Sequence, residues 1–186
     1  MKGFSRDYPL FSLCGLKCGL CPMHYIEGGG CPGCGGGDGN QSCAIARCSL
    51  EHGGVEFCSQ CPEYPCEKYD GLDDYDSFVP HRDRTAELLR VQALGIETYR
   101  AELDEKVKRL EHLLLEYNDG RRKSFFCTAV NVLDLADVRA VMEQIAAEAS
   151  PEAMGLKERA AKAAALFQAM ADRRGVSLKL TRKPKK

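Results

Sequence analysis

Cys14-Gly15-Leu16-Lys17-Cys18-Gly19-Leu20-Cys21-Pro22 opens a run in which ten of the chain's eleven cysteines fall before Glu67. The others follow as Cys31 and Cys34, Cys43 and Cys48, then Cys58, Cys61 and Cys66, while the rest of the chain keeps Cys127 alone. Thiols two residues apart, separated by turn-forming residues, aim both sulfurs at one point, which is how tetrahedral thiolate sites are assembled. The pairs Cys18/Cys21, Cys31/Cys34 and Cys58/Cys61 have this zinc-knuckle spacing.

Working outward, residues 13–69 are dense in Gly, Cys and Pro and lack a sustained apolar period of 3.6 or 2 residues. Glycine-rich chain loses much backbone entropy on ordering, so this segment is expected to be held by metal rather than by a core. Zinc binding of on the order of 10 kcal/mol in small modules is enough to do so. Disulfides are the poorer reading. Met1 to Phe11 lacks the apolar run of a signal peptide, no stretch approaches a membrane span, and a reducing, cytoplasmic setting without membrane contact is the expectation.

Ten thiolates fill two four-ligand sites with two left over, and three sites if His24 and His52 join them. The expected ligand set is Cys14, Cys18, Cys21, Cys31, Cys34, Cys43, Cys48, Cys58, Cys61, Cys66 and His24. His24 ranks ahead of His52 because Cys21-Pro22-Met23-His24 is short enough to turn both side chains to one ion. The preferred pairing joins Cys18/Cys21 with Cys31/Cys34 and Cys43/Cys48 with Cys58/Cys61, leaving Cys14 and Cys66 spare; interleaved pairings satisfy the spacings equally. Two or three zinc ions are therefore the expected cofactor. An iron–sulfur cluster is the rival. C-x3-C-x2-C at Cys14, Cys18 and Cys21 has the spacing of radical S-adenosylmethionine enzymes, but more cysteines and then helical patterns follow it, not a partial α/β barrel. The Cys-Pro steps at Cys21, Cys31 and Cys61 echo ferredoxins without their full spacing.

After the acidic connector from Asp70 to Asp76 and Pro80 the composition changes. A boundary is read there, with a cysteine-rich metal-binding module over 1–79 and a helical domain with a basic tail over 80–186. A helix near Asp83 to Leu94 is stopped by Gly95. The next places Tyr99, Leu103, Val107, Leu110, Leu114 and Tyr117 on one face and ends at Asn118-Asp119-Gly120. Phe125 to Leu133 is too short for its period to separate a helix from a buried strand, with a short helix the preferred reading, and Asp134 reads as the N-cap of a helix carrying Leu135, Val138, Val141, Met142 and Ile145, which stops at Ser150-Pro151. A last helix carries Leu156, Ala160, Ala164, Phe167 and Met170 and ends at Gly175; Val176 to Leu180 could add one edge strand. The expected class is thus α, with a small irregular zinc module packed on a helical domain.

Charge is uneven: residues 1–80 hold 5 Lys/Arg against 11 Asp/Glu, and residues 81–186 hold 21 against 16. An acidic first half bearing thiolates is a poor phosphate binder, so any nucleic-acid surface belongs to the second half. There Arg173, Arg174, Lys179, Arg182, Lys183, Lys185 and Lys186 form a basic tail, but no aromatics interleave for base stacking. A protein is the expected partner, with nucleic acid the alternative. The glycine tract lacks the Gly-Lys-Ser/Thr end of a phosphate loop, and no Ser-His-Asp or paired-carboxylate signature stands out, so no catalytic residue is assigned and the question of an enzyme stays open: the alternatives are an iron–sulfur redox or group-transfer enzyme and a catalytic zinc with an open position, held by Cys14 or Cys66 with His24. Cys127, though near Arg121-Arg122-Lys123, reads as a small buried apolar residue, and His81 and His112 as solvated.

The stretches Cys14-Gly15-Leu16-x-Cys18-x2-Cys21-Pro22, Cys43-Ala44-Ile45-x2-Cys48 and Gly54-Val55-Glu56-x-Cys58-x2-Cys61-x2-Tyr64-Pro65-Cys66-Glu67 resemble the cysteine-rich prokaryotic domain-of-unknown-function 3795 family. Tyr117 to Cys127 resembles its longer members. The resemblance implies a metal-binding protein, presumed to hold zinc, with no established biochemical role. Met23-His24-Tyr25 departs from the small residue and Tyr expected after Cys-Pro, so His24 takes no role from the family.

Overall fold

The computed structural model describes residues 3–37, 43–149 and 154–184. Among these residues there are six α-helices and no strand. They are α1 (Ala44–Glu51), α2 (Arg84–Leu94), α3 (Ile96–Glu116), α4 (Lys123–Val132), α5 (Leu135–Glu148) and α6 (Leu156–Arg174). Single 3-10 turns occur at Cys18–Leu20, Cys58–Gln60 and Glu67–Tyr69. No helix of the described residues is long and apolar enough to cross a membrane. The stop expected at Ser150-Pro151, and Lys185 and Lys186 of the tail, lie outside the described residues.

The chain divides into two compact units: Met1–Arg100 with Leu180–Lys186, and Ala101–Lys179. The composition break near Pro80 therefore does not coincide with this division, since α2 and the first turn of α3 belong with the cysteine-rich segment. The reason is packing. That segment has apolar side chains of its own, scattered through loops without a period, and α2 completes their core. Phe11, Leu13, Leu20 and Phe57 are buried, as are Leu88, Val91 and Tyr99. Phe11 stacks obliquely against Phe57 at 5.6 Å and Tyr99 at 4.7 Å between centroids. The expectation of a coreless segment is thus corrected.

Buried charges fasten this first unit. The Glu87 carboxylate on α2 receives the Lys17 ammonium at 2.7 Å and the Tyr99 hydroxyl at 2.7 Å. Arg84, 3% exposed, pairs with Asp73 at 2.6 Å. Such buried charges are tolerated because each is matched by an opposite charge or a hydrogen bond.

In the second unit α6 packs against α5 and α4. Leu103, Val107, Leu110, Leu113, Tyr117, Phe126, Val130, Val138, Val141, Ile145, Ala160, Ala163, Phe167 and Met170 form its core. Phe125 to Val132 is helical, within α4, and Leu133 is its extended C-cap. On α3 the register is one residue off at one turn: Leu113 is fully buried, and Leu114 only half-buried. Asp137 in the first turn of α5 is gripped by the Arg174 guanidinium from the last turn of α6 at 2.8 and 2.5 Å. Gly175, at φ +65°, then ends α6 in the left-handed region.

The expected edge strand at Val176 to Leu180 is not formed. A strand needs a ladder partner, and the described residues offer none. Instead the segment just beyond it is tied side-on within the first unit: Asp76 N–H donates to the Thr181 carbonyl at 2.8 Å and Thr181 N–H to the Asp76 carboxylate at 2.7 Å.

Candidate metal centre

Two of the three C-x2-C pairs fold into the same turn. Cys21 N–H donates to the Cys18 carbonyl at 3.1 Å and His24 N–H to the Cys21 carbonyl at 3.0 Å. Cys61 N–H donates to the Cys58 carbonyl at 3.0 Å and Tyr64 N–H to the Cys61 carbonyl at 3.1 Å. The second cysteines share their backbone, with φ, ψ of −87°, 133° at Cys21 and −77°, 134° at Cys61. The Gln60 side-chain oxygen closes the second turn by accepting from the N–H groups of Glu56 and Phe57. The third pair differs: Cys34 N–H leaves its own turn for the Pro9 carbonyl at 2.9 Å, and Cys31 N–H goes to the Met23 carbonyl at 2.8 Å. Gly33, at φ +90°, permits this, because a Cβ there would sit 2.3 Å from the Pro9 oxygen.

Cys48 comes from α1, a helix that residues 44–51 did not announce. It carries Ile45, Ala46 and Ser49 on its buried side, and the Ser49 hydroxyl donates to the Val55 carbonyl at 2.9 Å. This helix delivers Cys48 to a cavity of about 20 Å³ whose walls include Cys48, Cys58, Cys61 and Cys66 together with His52, Tyr64 and Tyr69. That volume suits one water-sized body. Cys43, by contrast, caps α1 from an exposed position and does not line the cavity; Cys66, left spare by the spacing, does.

Cys14 sits inside a tight loop in which Leu16 N–H donates to the Ser12 hydroxyl at 2.7 Å, and Ser12 Oγ lies 3.2 Å from the Cys14 sulfur. Cys14, Cys34 and Cys58 all pack against the small apolar cluster of Leu13, Ile45 and Ala46. Burial pushes the Cys18 thiol well up, and the neighbouring charges of Cys34, Cys14 and Cys21 push it further. Burial also raises Cys34, against the Leu13 N–H and the Arg6 guanidinium, which favour its thiolate. Cys21 is raised by burial and opposed by the N–H groups of Met23 and His24. Cys58 is pushed up to about 11 by burial, opposed by the Tyr69 hydroxyl and reinforced by Cys14, Cys66 and Cys48. Desolvation likewise raises Cys48.

These opposed influences describe thiols crowded together yet supplied with donors suited to thiolate. Ionised alone they would repel; a soft dication among them reverses that preference, because coordination deprotonates the thiol. The Tyr69 hydroxyl is closed to solvent beside Cys58 without a well-aligned acceptor, the position from which it would donate to a thiolate ligand. The donor chemistry and the cavity size thus suit a thiophilic cation. The convergence is incomplete: among the described residues no three Cys, His, Asp or Glu groups are placed to hold one ion as they stand.

The histidines stand differently. His24 Nδ1 lies 2.7 Å from the Cys31 carbonyl, to which it donates. His52 Nδ1 lies 2.9 Å from the Cys48 carbonyl and 3.5 Å from its sulfur, and Nε2 lies 3.3 Å from Glu63. The Cys48 carbonyl and Glu63 both raise His52 above its ordinary range. His81, read as solvated, is instead held by the Leu72 carbonyl at 2.9 Å and Ser77 at 2.9 Å. Cys127 is buried, in α4. No protein-family model, curated protein or solved structure matches this chain.

Proposed function

We propose that the protein binds zinc through its cysteine-rich unit, where the ions act as structural cross-links, and that the helical unit offers a surface to a protein partner. The observation that supports the metal reading is that Cys48, Cys58, Cys61 and Cys66 all line one cavity of about 20 Å³. An all-sulfur donor set suits zinc and iron–sulfur clusters alike, and zinc is preferred because a cross-link calls for no redox chemistry. In the helical unit Leu115, 77% exposed, is the large apolar side chain left most open to a partner.

When bound, the metal supplies a positive centre that neutralises thiolates. The chain's own residues do the rest: Met23, His24 and Leu13 N–H groups and the Arg6 guanidinium favour thiolates at Cys21 and Cys34. Elemental analysis of protein purified from zinc-replete medium without chelator tests the reading, with at least one tightly held zinc per chain expected. A lower content ends it. An anaerobic preparation with visible sulfur-to-iron absorption would instead favour the iron–sulfur alternative.

A further inference from the structure

We propose that the first unit carries a small-molecule site, a cavity that takes a zwitterionic α-amino acid with an apolar side chain and grips its carboxylate through Arg100. The cavity measures about 350 Å³, and none of its lining residues is a cysteine, so it stands apart from the thiols. That volume is in the range of small-ligand pockets. Its walls come from the N-terminal loop, the turn at Cys58–Gln60, α2 and the start of α3. They are tied together before any ligand arrives. Gln92 Nε2 on α2 donates to the Ser59 carbonyl at 2.9 Å, and the Gln60 side-chain oxygen accepts from the Phe57 N–H at 3.0 Å. Walls fixed in advance lose little freedom on binding.

Arg100 is the group that selects the ligand. Its guanidinium lies over the ring of buried Tyr8, 4.6 Å from the centroid. Stacking fixes the plane of the fork and leaves its edge to face an acceptor. Among the described residues the carboxylate paired with it is Glu97, at 3.9 Å, beyond hydrogen-bond reach. A planar cation held in this way at a cavity wall suits a carboxylate, which it binds through two parallel hydrogen bonds.

The other charges decide which carboxylate. Glu56, also in the lining, is already matched by Arg6 at 3.0 Å. Asp7 and Glu97 remain, both exposed, so the cavity presents two carboxylates beside one guanidinium. A simple anion would meet net repulsion there. A ligand bearing an ammonium next to its carboxylate does not, because each of its charges finds an opposite one. Phe57, Val91 and Ile96 supply apolar lining for the rest of the molecule. Leucine and phenylalanine have this combination of groups.

The test is an NMR titration of the full-length protein, as purified, with L-leucine and L-phenylalanine. Each is compared with its amine (isoamylamine, phenethylamine), which lacks the carboxylate, and its acid (isocaproate, phenylpropionate), which lacks the ammonium. At least one amino acid should bind and shift the backbone signals of Val91, Ile96 and Arg100, with its amine and its acid each weaker by about tenfold or more. Arg100→Gln should abolish the advantage of the amino acid over the amine; Arg100 is only half-buried, so the variant is expected to fold. Binding by neither amino acid, or shifts confined to residues elsewhere, overturns the site. An amine that binds as tightly as its amino acid, or an Arg100→Gln chain that keeps the parent's affinity, overturns the role of Arg100. If the variant does not fold, the comparison of amino acid, amine and acid on the parent chain decides the matter.

Discussion

The N–H of Cys58 and the carbonyl of Leu13 meet at 2.9 Å, joining two cysteine segments more than forty residues apart in the chain. This bond sets the second C-x2-C turn beside the Ser12–Leu16 loop, so that thiols from three stretches of sequence share one neighbourhood. Donors gathered in this way come largely from loops, where a cross-link would add to the apolar contacts of Leu13, Ile45 and Ala46.

Metal removal is therefore expected to act locally. Prolonged chelation under reducing conditions should open residues 14–66 to proteolysis, while far-UV helicity falls only modestly because α4, α5 and α6 keep their own apolar core. Limited proteolysis with mass mapping checks this. Unchanged protection of 14–66 in metal-free protein would show that the apolar contacts suffice alone.

Gly15 offers a steric test. It sits at φ +94°, and a Cβ there would lie 2.3 Å from the Arg84 carbonyl oxygen. Gly15→Ala should cost roughly 1–3 kcal/mol from backbone strain alone, and more from the clash. Gly120→Ala, at φ +86° with no atom within 4 Å, should show the strain without the clash. Urea titration of the two variants reads the difference, and equal costs would refute the close approach of α2 to the Cys14 loop.

Phe11 tests the core of the first unit. It is fully buried between Phe57 and Tyr99, so Phe11→Ala should destabilise that unit by about 3–5 kcal/mol. Leu115→Ala on α3 should change stability by about 0.5 kcal/mol or less. Denaturant midpoints of the two variants measured side by side give the comparison.

Acid should weaken the second unit through Glu105. Hydrogen bonds from Arg139 and Arg109 hold its carboxyl down from about 4.5 to about 2. A depressed folded-state value means the stabilisation is complete above the unfolded-state value and is lost as pH falls from about 4.5 through about 2. Glu105→Gln should remove this part of the acid sensitivity, and salt should reduce it, because the pair is partly exposed. Melting temperatures of parent and variant across that window should converge at the acid end; parallel curves would contradict the assignment.

Helices were legible where one strong period ran for several turns. Tyr99 to Tyr117 announced α3, and Gly95, Asp134 and Gly175 marked ends that the structure keeps. What periodicity could not resolve was the choice between adjacent leucines: Leu113 takes the core position, and Leu114 lies half outside. α1 was missed because eight residues bury only Ile45, Ala46 and Ser49, and a serine does not register as apolar. The Ile45–Ser49 spacing followed by Gly53-Gly54 was the available signal. At the thiols, spacing foretold the turns at Cys18–Cys21 and Cys58–Cys61 but not which pairs would meet. That depends on long-range bonds such as Cys58 to Leu13 and Cys34 to Pro9, which carry no mark in local sequence. Lys17, Arg84 and Arg6 were invisible for a related reason: a buried cation looks like any surface cation until its partner arrives from elsewhere.

The tie between Asp76 and Thr181 bears on the order in which the molecule can be completed at the ribosome. Residues 180–184 are translated only after the whole of 101–179, so the cysteine-rich unit cannot gain its closing contacts until the helical one has been made. For that interval the loop around Asp76 has neither of its two hydrogen bonds to Thr181, so it stays untied until the helical unit has emerged.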